Sequence, residues 1–219
     1  MSQKTIVGIV AAIALIAGII ASVYVSPPGD ISAVGDRPEY MQVYPAPRAL
    51  SDFTLTQHTG APFTVENLKQ HWTLAFIGYT YCPDICPVTM SALAGIYPEL
   101  KEMEGNAPIQ VVFISVDPNR DSIERLSEYI GFFNSEFIAV TGEHAQLFPM
   151  VRSMGMMYAI SESTDNPNYL VDHSGSVVVI NPQGNVVGRF KPEVKAGQLS
   201  ISDVDQIKAD MPAIIDGSY

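Results

Sequence analysis

The chain of 219 residues has two cysteines, four positions apart in Gly78-Tyr79-Thr80-Tyr81-Cys82-Pro83-Asp84-Ile85-Cys86-Pro87. On a helical turn, residues four apart share a face, so the two sulfurs can approach one another. A helix N-terminus favours negative charge through its unpaired N–H groups. Both effects promote the thiolate, the form that binds a metal or attacks a disulfide. A structural disulfide is the plain alternative, but a bridge this short in sequence closes a tiny loop and gains little from loop entropy. With two cysteines, a Cys₄ zinc site within one chain is excluded. Two thiolates rank among the soft ligands suited to Cu(I), and an imidazole suits Cu(I) and Cu(II) alike. A third ligand must come from elsewhere, and His58, His71, His144 and His173 are the candidates. The C-x₃-C spacing is wider than the C-x₂-C of common thiol oxidoreductases, yet a pair that cycles between dithiol and disulfide remains an alternative.

The elements that must position these groups are readable from hydrophobic periodicity. Thr73–Tyr79 is a continuous apolar run suited to a strand buried on both faces. The cysteine turn follows it, and then a helix from about Pro87 to Met103 with an apolar stripe of Met90, Leu93, Ile96, Tyr97 and Leu100. Ile109–Val116 reads as a second buried strand, Ser122–Phe133 as a helix, Phe137–Val140 as a short strand and His144–Met154 as a helix. Phe53–Leu55 and Phe63–Val65 read as short strands around the turn His58-Thr59-Gly60. Ser176–Ile180 and Val186–Phe190 flank Asn181-Pro182-Gln183-Gly184-Asn185, a hairpin signal, and Asp203–Asp210 reads as a closing helix. Strand–helix–strand units imply a parallel central sheet. The order is that of an α/β protein of thioredoxin-like topology, a central mixed sheet flanked by helices. His71 sits in a polar run before a strand and His144 begins a helix. His173 lies in Val171-Asp172-His173-Ser174-Gly175, read as a loop before the hairpin strand, and in thioredoxin-like topology that loop packs against the cysteine turn. Asp172 is a candidate acceptor behind the histidine.

Three motifs carry a resemblance to the Sco/SenC family of membrane-anchored copper-binding proteins: GYTYCPDICP at Gly78–Pro87, SVDPNRDS at Ser115–Ser122 and YLVDHSG at Tyr169–Gly175. The resemblance covers roughly Leu50 to Met211 and the N-terminal segment. It implies that Cys82, Cys86 and His173 together bind one copper ion, as Cu(I) or Cu(II). It further implies a copper chaperone, rather than an enzyme, that supplies the dinuclear copper site of cytochrome c oxidase. Its partners would be the oxidase copper-site subunit and another periplasmic copper chaperone. The alternative within the same resemblance is a thiol–disulfide reductase that keeps the oxidase cysteines reduced through Cys82 and Cys86.

Other residues have blander expectations. Met150, Met154, Met156 and Met157 are soft enough to meet copper, but methionines at helical spacing are expected to fill the core. Asp117, Arg120 and Asp121 are expected to form a solvated, capped turn at a helix start. Asp84, between the cysteines, reads as a turn former or as a residue that tunes copper reactivity or partner docking.

Lys+Arg is 12 against Asp+Glu 23, a formal net charge of −11, which argues against a nucleic-acid partner because phosphates need a basic face. Ile6–Val25 is 20 residues without a charge. At about 1.5 Å per residue it spans roughly 30 Å, the thickness of a bilayer's hydrocarbon core. It is longer than a signal-peptide core and lacks a cleavage site, and Ile19 stands where a lipidated cysteine would follow Leu15-Ile16-Ala17-Gly18. Lys4 precedes the span and no basic residue follows until Arg37, which keeps the N-terminus cytoplasmic. The expected organisation is an anchor over 1–25, a Pro/Gly-rich tether over 26–48 and a copper-binding domain over 49–219. The expected location is the bacterial inner membrane, single-pass, with the domain facing the periplasm. Mass spectrometry of membrane-extracted protein is expected to find residues 6–25 still attached; a mature N-terminus near Ser26 in the soluble fraction would rule the anchor out.

Overall fold

The computed structural model describes residues 3–4, 8–9, 13–18, 37–160, 163–194, 197 and 199–217. They fall into two compact units, Met1–Asp36 and Arg37–Tyr219. Most of the expected span Ile6–Val25, and residues 26–36 of the expected tether, lie outside the described residues. Among the described residues no helix is long and apolar enough to cross a membrane.

In the second unit, strands β4 (Trp72–Gly78), β5 (Ile109–Ser115) and β6 (Ile138–Thr141) run parallel, side by side. Strand β9 (Val177–Ile180) lies antiparallel to β4 and β10 (Asn185–Phe190) antiparallel to β9. At one edge β1 (Gln42–Ala49) pairs with β10; at the other, β2 (Leu55–Gln57) pairs with β6 and with β3 (Pro62–Phe63). The order across the sheet is β1-β10-β9-β4-β5-β6-β2-β3. A separate two-stranded ribbon joins β7 (Tyr158–Ile160) to β8 (Val171–His173). Helix α1 (Ile85–Lys101) connects β4 to β5, α2 (Ile123–Phe133) connects β5 to β6, α3 (His144–Ser153) follows β6, and α4 (Val204–Ile215) comes last.

Every residue of β4 and β5 is buried, because both faces of the sheet are covered. The alternation of side chains divides them between two cores. Leu74, Phe76, Val111 and Phe113 face the helices α1, α2 and α4, meeting Met90, Leu93, Leu126, Ile130 and Met211. Ala75, Ile77, Val112 and Ile114 face the other way, toward Leu147, Met150 and Val151 of α3. This mixed, helix-flanked sheet is a thioredoxin-like fold, as its element order predicts.

Three readings need correction. The tether expected to run to residue 48 ends earlier, because Gln42–Ala49 forms the edge strand β1. Pro45 and Pro47 hid it: proline cannot donate to a ladder and is tolerated only at an edge or a bulge, and the pairing with β10 does shift register between Val43 and Arg48. The closing helix does not stop at Asp210 but continues through Pro212 to Ile215. An internal proline costs about 3 kcal/mol, and the buried side chains Met211, Ile214 and Ile215 offset it at about 1.5–3 kcal/mol each. The third correction concerns His173, which is not in a loop but ends β8, its Cα opposite Tyr158 of β7.

Asp210 fastens the start of the domain to α4. Its carboxylate, 4% exposed, accepts the backbone N–H groups of Glu39, Tyr40 and Met41 at 2.8, 2.8 and 2.7 Å. Removing it leaves these donors without that acceptor, so Asp210→Ala is expected to lower the unfolding free energy by about 2–4 kcal/mol, read as a fall in the urea midpoint; a change under about 0.5 kcal/mol would show that water replaces the carboxylate at no cost.

Candidate metal centre

The site forms beyond the carboxyl ends of the parallel strands, where open α/β sheets place their ligands. Strand β4 ends at Gly78, and the chain turns, with Cys82 N–H donating to the Tyr79 carbonyl at 3.2 Å. Asp84 is the N-cap of α1, exposed and making no side-chain cap bond, so Cys86 falls on the helix's second residue. Cys86 is fully buried and Cys82 half-buried, and both are free thiols. Gly78 makes room for them. A Cβ there would lie 2.5 Å from Cys86 Sγ and 2.9 Å from Phe113 Cε2, so only the bare backbone of glycine lets the sulfur pack against the strand end.

The ribbon β7–β8 brings in the third group. His173 Nε2 lies 3.3 Å from Cys86 Sγ, and one ligand atom from each of Cys82, Cys86 and His173 all lie within 4.8 Å of one another. Nδ1 sits 3.2 Å from the Ser174 carbonyl, which can only accept, so Nδ1 carries a proton and donates it. Nε2 then faces the sulfurs, its lone pair open to a metal when the ring is neutral and its proton open to a Cys82 thiolate when the ring is charged. Tyr79 and Phe76 pack edge-on against the imidazole at 5.8 and 6.0 Å and hold its plane.

The two sulfurs differ electrostatically. Cys82 is pulled well below the ordinary thiol range, first by the hydrogen bond from Cys86, against a burial penalty, and then by His173 and the backbone N–H groups of Asp84 and Cys86. Burial pushes the Cys86 thiol up, and the neighbouring Cys82 charge adds to the shift. In the metal-free protein Cys82 is therefore the anion and Cys86 the proton holder.

The donor set fits a soft ion. With metal–donor bonds of about 2.0–2.3 Å, as in zinc sites, trigonal donors stand roughly 3.5–4 Å apart, close to the spacing already present. Structural zinc takes four closed ligands, whereas the cluster found among the described residues has three, two of them thiols. Two thiolates and an imidazole favour copper.

The other histidines are committed elsewhere. His58 Nδ1 accepts Ala139 N–H at 3.1 Å, His71 Nδ1 donates to the Lys69 carbonyl at 3.0 Å, and His144 Nδ1 meets the Tyr158 hydroxyl at 2.8 Å. Met150, Met154 and Met156 are core residues, while Met157 is exposed.

The turn expected to be solvated is instead a buried brace. Asp117 and Asp121 are 0% and 1% exposed. Asp121 accepts Thr80 N–H at 2.9 Å, Thr80 Oγ1–H at 2.7 Å and Ser115 Oγ–H at 2.6 Å, so it ties the cysteine turn to the end of β5. Burial pushes the Asp121 carboxyl above the usual carboxylate range, and these bonds oppose the shift. Asp117 pairs with Arg120 Nε at 2.6 Å and accepts the Tyr169 hydroxyl. Arg120 stacks on the Tyr169 ring at 3.5 Å, two residues before β8. Sequence reasoning missed Gly78, Thr80 and Tyr169. The signals were present: a glycine ending an apolar run, a threonine beside Cys82, and acidic residues directly after a buried strand.

A thioredoxin-like domain with a Cys-x₃-Cys turn and a convergent histidine defines a class of thiol-rich soft-metal proteins. The model of the SCO1/SenC family matches residues 42–208, and the chain belongs to that family. It is 37% identical over 156 residues to the mitochondrial protein SCO1 homolog 1 of Arabidopsis thaliana, covering 71% of this chain and 46% of that protein. It is 31% identical over 162 residues to the human mitochondrial protein SCO2 homolog, covering 74% of this chain and 59% of that protein. The chain thus spans about half the length of these two relatives. The crystal structure of Arabidopsis thaliana ScoI with copper bound superposes with a TM-score of 0.62 at 32% identity, covering 75% of this chain and 97% of that one.

The asymmetry of the sulfurs sets a pH test. A thiol of pKa about 8.5 is less than about 1% thiolate at pH 6. A depressed pKa keeps Cys82 ionised as pH falls from 8 to 6, so iodoacetamide is expected to label it at nearly the same rate at both values, with Cys86 labelled only after unfolding. A rate at Cys82 that falls about 100-fold over that range would show an ordinary thiol.

Proposed function

We propose that the protein is a copper chaperone that holds one copper ion on Cys82, Cys86 and His173 and hands it to the dinuclear copper site of cytochrome c oxidase during assembly. The observation that carries this reading is the convergence of two sulfurs and an imidazole nitrogen within 4.8 Å of one another. Membership of the SCO1/SenC family and the copper-bound Arabidopsis relative support it. Copper here is cargo rather than a catalyst, and the protein acts as a carrier rather than an enzyme. The chain's own groups explain how cargo is held and released. Cys82 presents an anion at the half-buried mouth, Cys86 surrenders its proton as the ion binds, and His173 supplies a neutral nitrogen held in orientation by Ser174. Three donors leave a coordination position for an incoming partner ligand, which permits exchange without free ion. The partners in this reading are the oxidase copper-site subunit and a periplasmic copper donor. The location is the bacterial inner membrane, the domain facing the periplasm on the anchor Ile6–Val25.

A second reading rests on a specific observation, the depressed Cys82 thiolate beside a protonated Cys86. That pair suits a thiol–disulfide reductase that keeps the oxidase cysteines reduced. His173 separates the two readings, since thiol exchange needs no third ligand.

Metal analysis is expected to find one copper per chain, with a sulfur-to-copper charge-transfer band for Cu(II) that disappears in Cys82→Ser and in Cys86→Ser. His173→Ala is expected to lose affinity by more than the ~10–100-fold that outer partners of a ligand cost, and to fail in oxidase assembly at low copper while keeping two reducible cysteines. Normal assembly at low copper with His173→Ala, together with failure of Cys82→Ser, would replace the chaperone reading with the reductase one.

A further inference from the structure

Acidic side chains outnumber basic ones 23 to 12, yet two arginines converge on one tyrosine at the mouth of the metal centre. Tyr81 immediately precedes Cys82 and is 49% exposed. The guanidinium carbon of Arg120 lies 5.0 Å from its ring centroid and that of Arg125 5.2 Å, both within cation–π range. Two like charges drawn to one ring repel each other, so they must be held in place. Arg120 is fixed by Nε on Asp117, by Nη1 donating to the Pro167 carbonyl at 3.0 Å and by the Tyr169 ring, while its Nη2 is shielded from solvent and has no acceptor. Arg125 Nε donates to Thr80 Oγ1 at 3.2 Å, and this half-exposed guanidinium makes none of the ion pairs found among the described residues. Elsewhere on the surface Lys69, Lys101 and Lys208 each face a glutamate, at 2.5, 2.6 and 3.3 Å. Asp165, on the loop that carries Pro167, accepts the Ser163 hydroxyl at 3.1 Å. Between Tyr81 and that loop lies a cleft of about 570 Å³ lined by Asn119, Arg120, Asn168 and Tyr169.

Resting on the copper-carrier reading, we infer that the Tyr81–Arg120–Arg125 rim is the docking site for an acidic segment of the partner that takes copper from this chain. Charge complementarity selects the occupant. A guanidinium offers its N–H groups as a planar fork that matches a carboxylate. The cleft adds two side-chain amides as further donors and tyrosine rings as walls, and its volume admits several side chains of a peptide rather than a lone ion. The buried carboxylates Asp117 and Asp121 are already engaged by Arg120, Tyr169, Thr80 and Ser115. The rim also answers an electrostatic difficulty of the carrier. At a net charge of −11 the molecule as a whole repels an acidic partner. Two guanidiniums beside Cys82 reverse the sign locally, so an acidic segment is drawn to the one place where its neighbouring soft ligands meet the half-buried sulfur. Such a rim acts on encounter and orientation and leaves the copper-holding groups untouched.

The test uses the full chain in an uncharged detergent, with acetylated tetraglutamate as a minimal acidic segment. The peptide is expected to shift the side-chain N–H resonances of Arg120 and Arg125 and the amide of Tyr81 saturably at about 0.01 M salt, where charges act over about 30 Å, and to lose the effect at about 1 M, where they act over about 3 Å. Tetraglutamine is expected to shift none of them. Arg125→Gln is expected to keep the parent's melting temperature and copper stoichiometry while peptide affinity falls about fivefold or more. Arg125→Lys keeps the charge but not the fork and is expected to fall in between. Loaded with Cu(I), Arg125→Gln is expected to pass copper to the metal-free copper-site domain of the oxidase subunit about three- to tenfold more slowly than the parent at low salt and equally fast at high salt. Absent shifts, equal shifts with tetraglutamine or with inorganic phosphate, or an Arg125→Gln affinity within twofold of the parent's overturn the proposal. Peptide binding needs no metal, so the two readings fail separately. A parent that docks tetraglutamate but binds no copper refutes the carrier reading and leaves the acidic-segment site standing. Copper transfer at the parent's rate by a variant that has lost the peptide refutes the docking role alone.

Discussion

The sulfur of Cys86 lies against the bare backbone of Gly78, and most of the site follows from that contact. The sheet is buried on both faces, so the end of β4 is an apolar place for a polarisable atom. A thiolate alone there would be a buried, uncompensated charge, which proteins avoid by keeping the proton or by pairing the anion. Here the proton stays on Cys86, and the negative charge sits on the more exposed Cys82, where backbone N–H groups and His173 receive it. One sulfur is thus primed to meet an incoming ion while the other waits for it.

Holding a flexible turn in this geometry requires more than the helix that follows it. Asp121 accepts two bonds from Thr80 and one from Ser115, which joins the cysteine turn to the neighbouring strand end. Asp117, Arg120 and Tyr169 extend the brace toward β8 and so toward His173. Two buried carboxylates at such a position are expensive unless fully bonded. Their cost is balanced by the ordering of three separate segments, because a metal site loses affinity when its donors must be collected from a loose ensemble.

The same geometry explains how one pair of cysteines can belong to two chemistries. Four-residue spacing on a helical start brings the sulfurs together without forcing a bridge, so both remain free thiols. The imidazole at 3.3 Å turns that pair into a chelate. Metal capture and thiol exchange then share the nucleophilic Cys82 and the His173 contact that supports its charge, but only metal capture needs the imidazole as a ligand.

Much of this was legible in the sequence, for local reasons. The apolar runs around Thr73–Tyr79 and Ile109–Val116 suited strands covered on both sides, and the stripe from Met90 to Leu100 suited a helix packed on them, as the structure has them. Cysteine count and spacing favoured soft-metal binding or thiol exchange over a structural disulfide, since all of these depend on residue type and on one turn of chain. What depended on distance in sequence needed more than periodicity. Periodicity does not say which of four histidines meets the sulfurs; the topology and the family resemblance named His173, and the tertiary structure supplied the contact, with the β7–β8 ribbon carrying His173 Nε2 to 3.3 Å from Cys86 Sγ, 87 positions away in the chain. Nor does it reveal β1, whose prolines mask a strand that exists by pairing with β10, or the burial of Asp117 and Asp121, whose charges read as solvent-facing until Thr80, Ser115, Arg120 and Tyr169 surround them. Hydrophobic pattern is a property of neighbours along the chain; a chelate and a buried carboxylate are properties of neighbours across it.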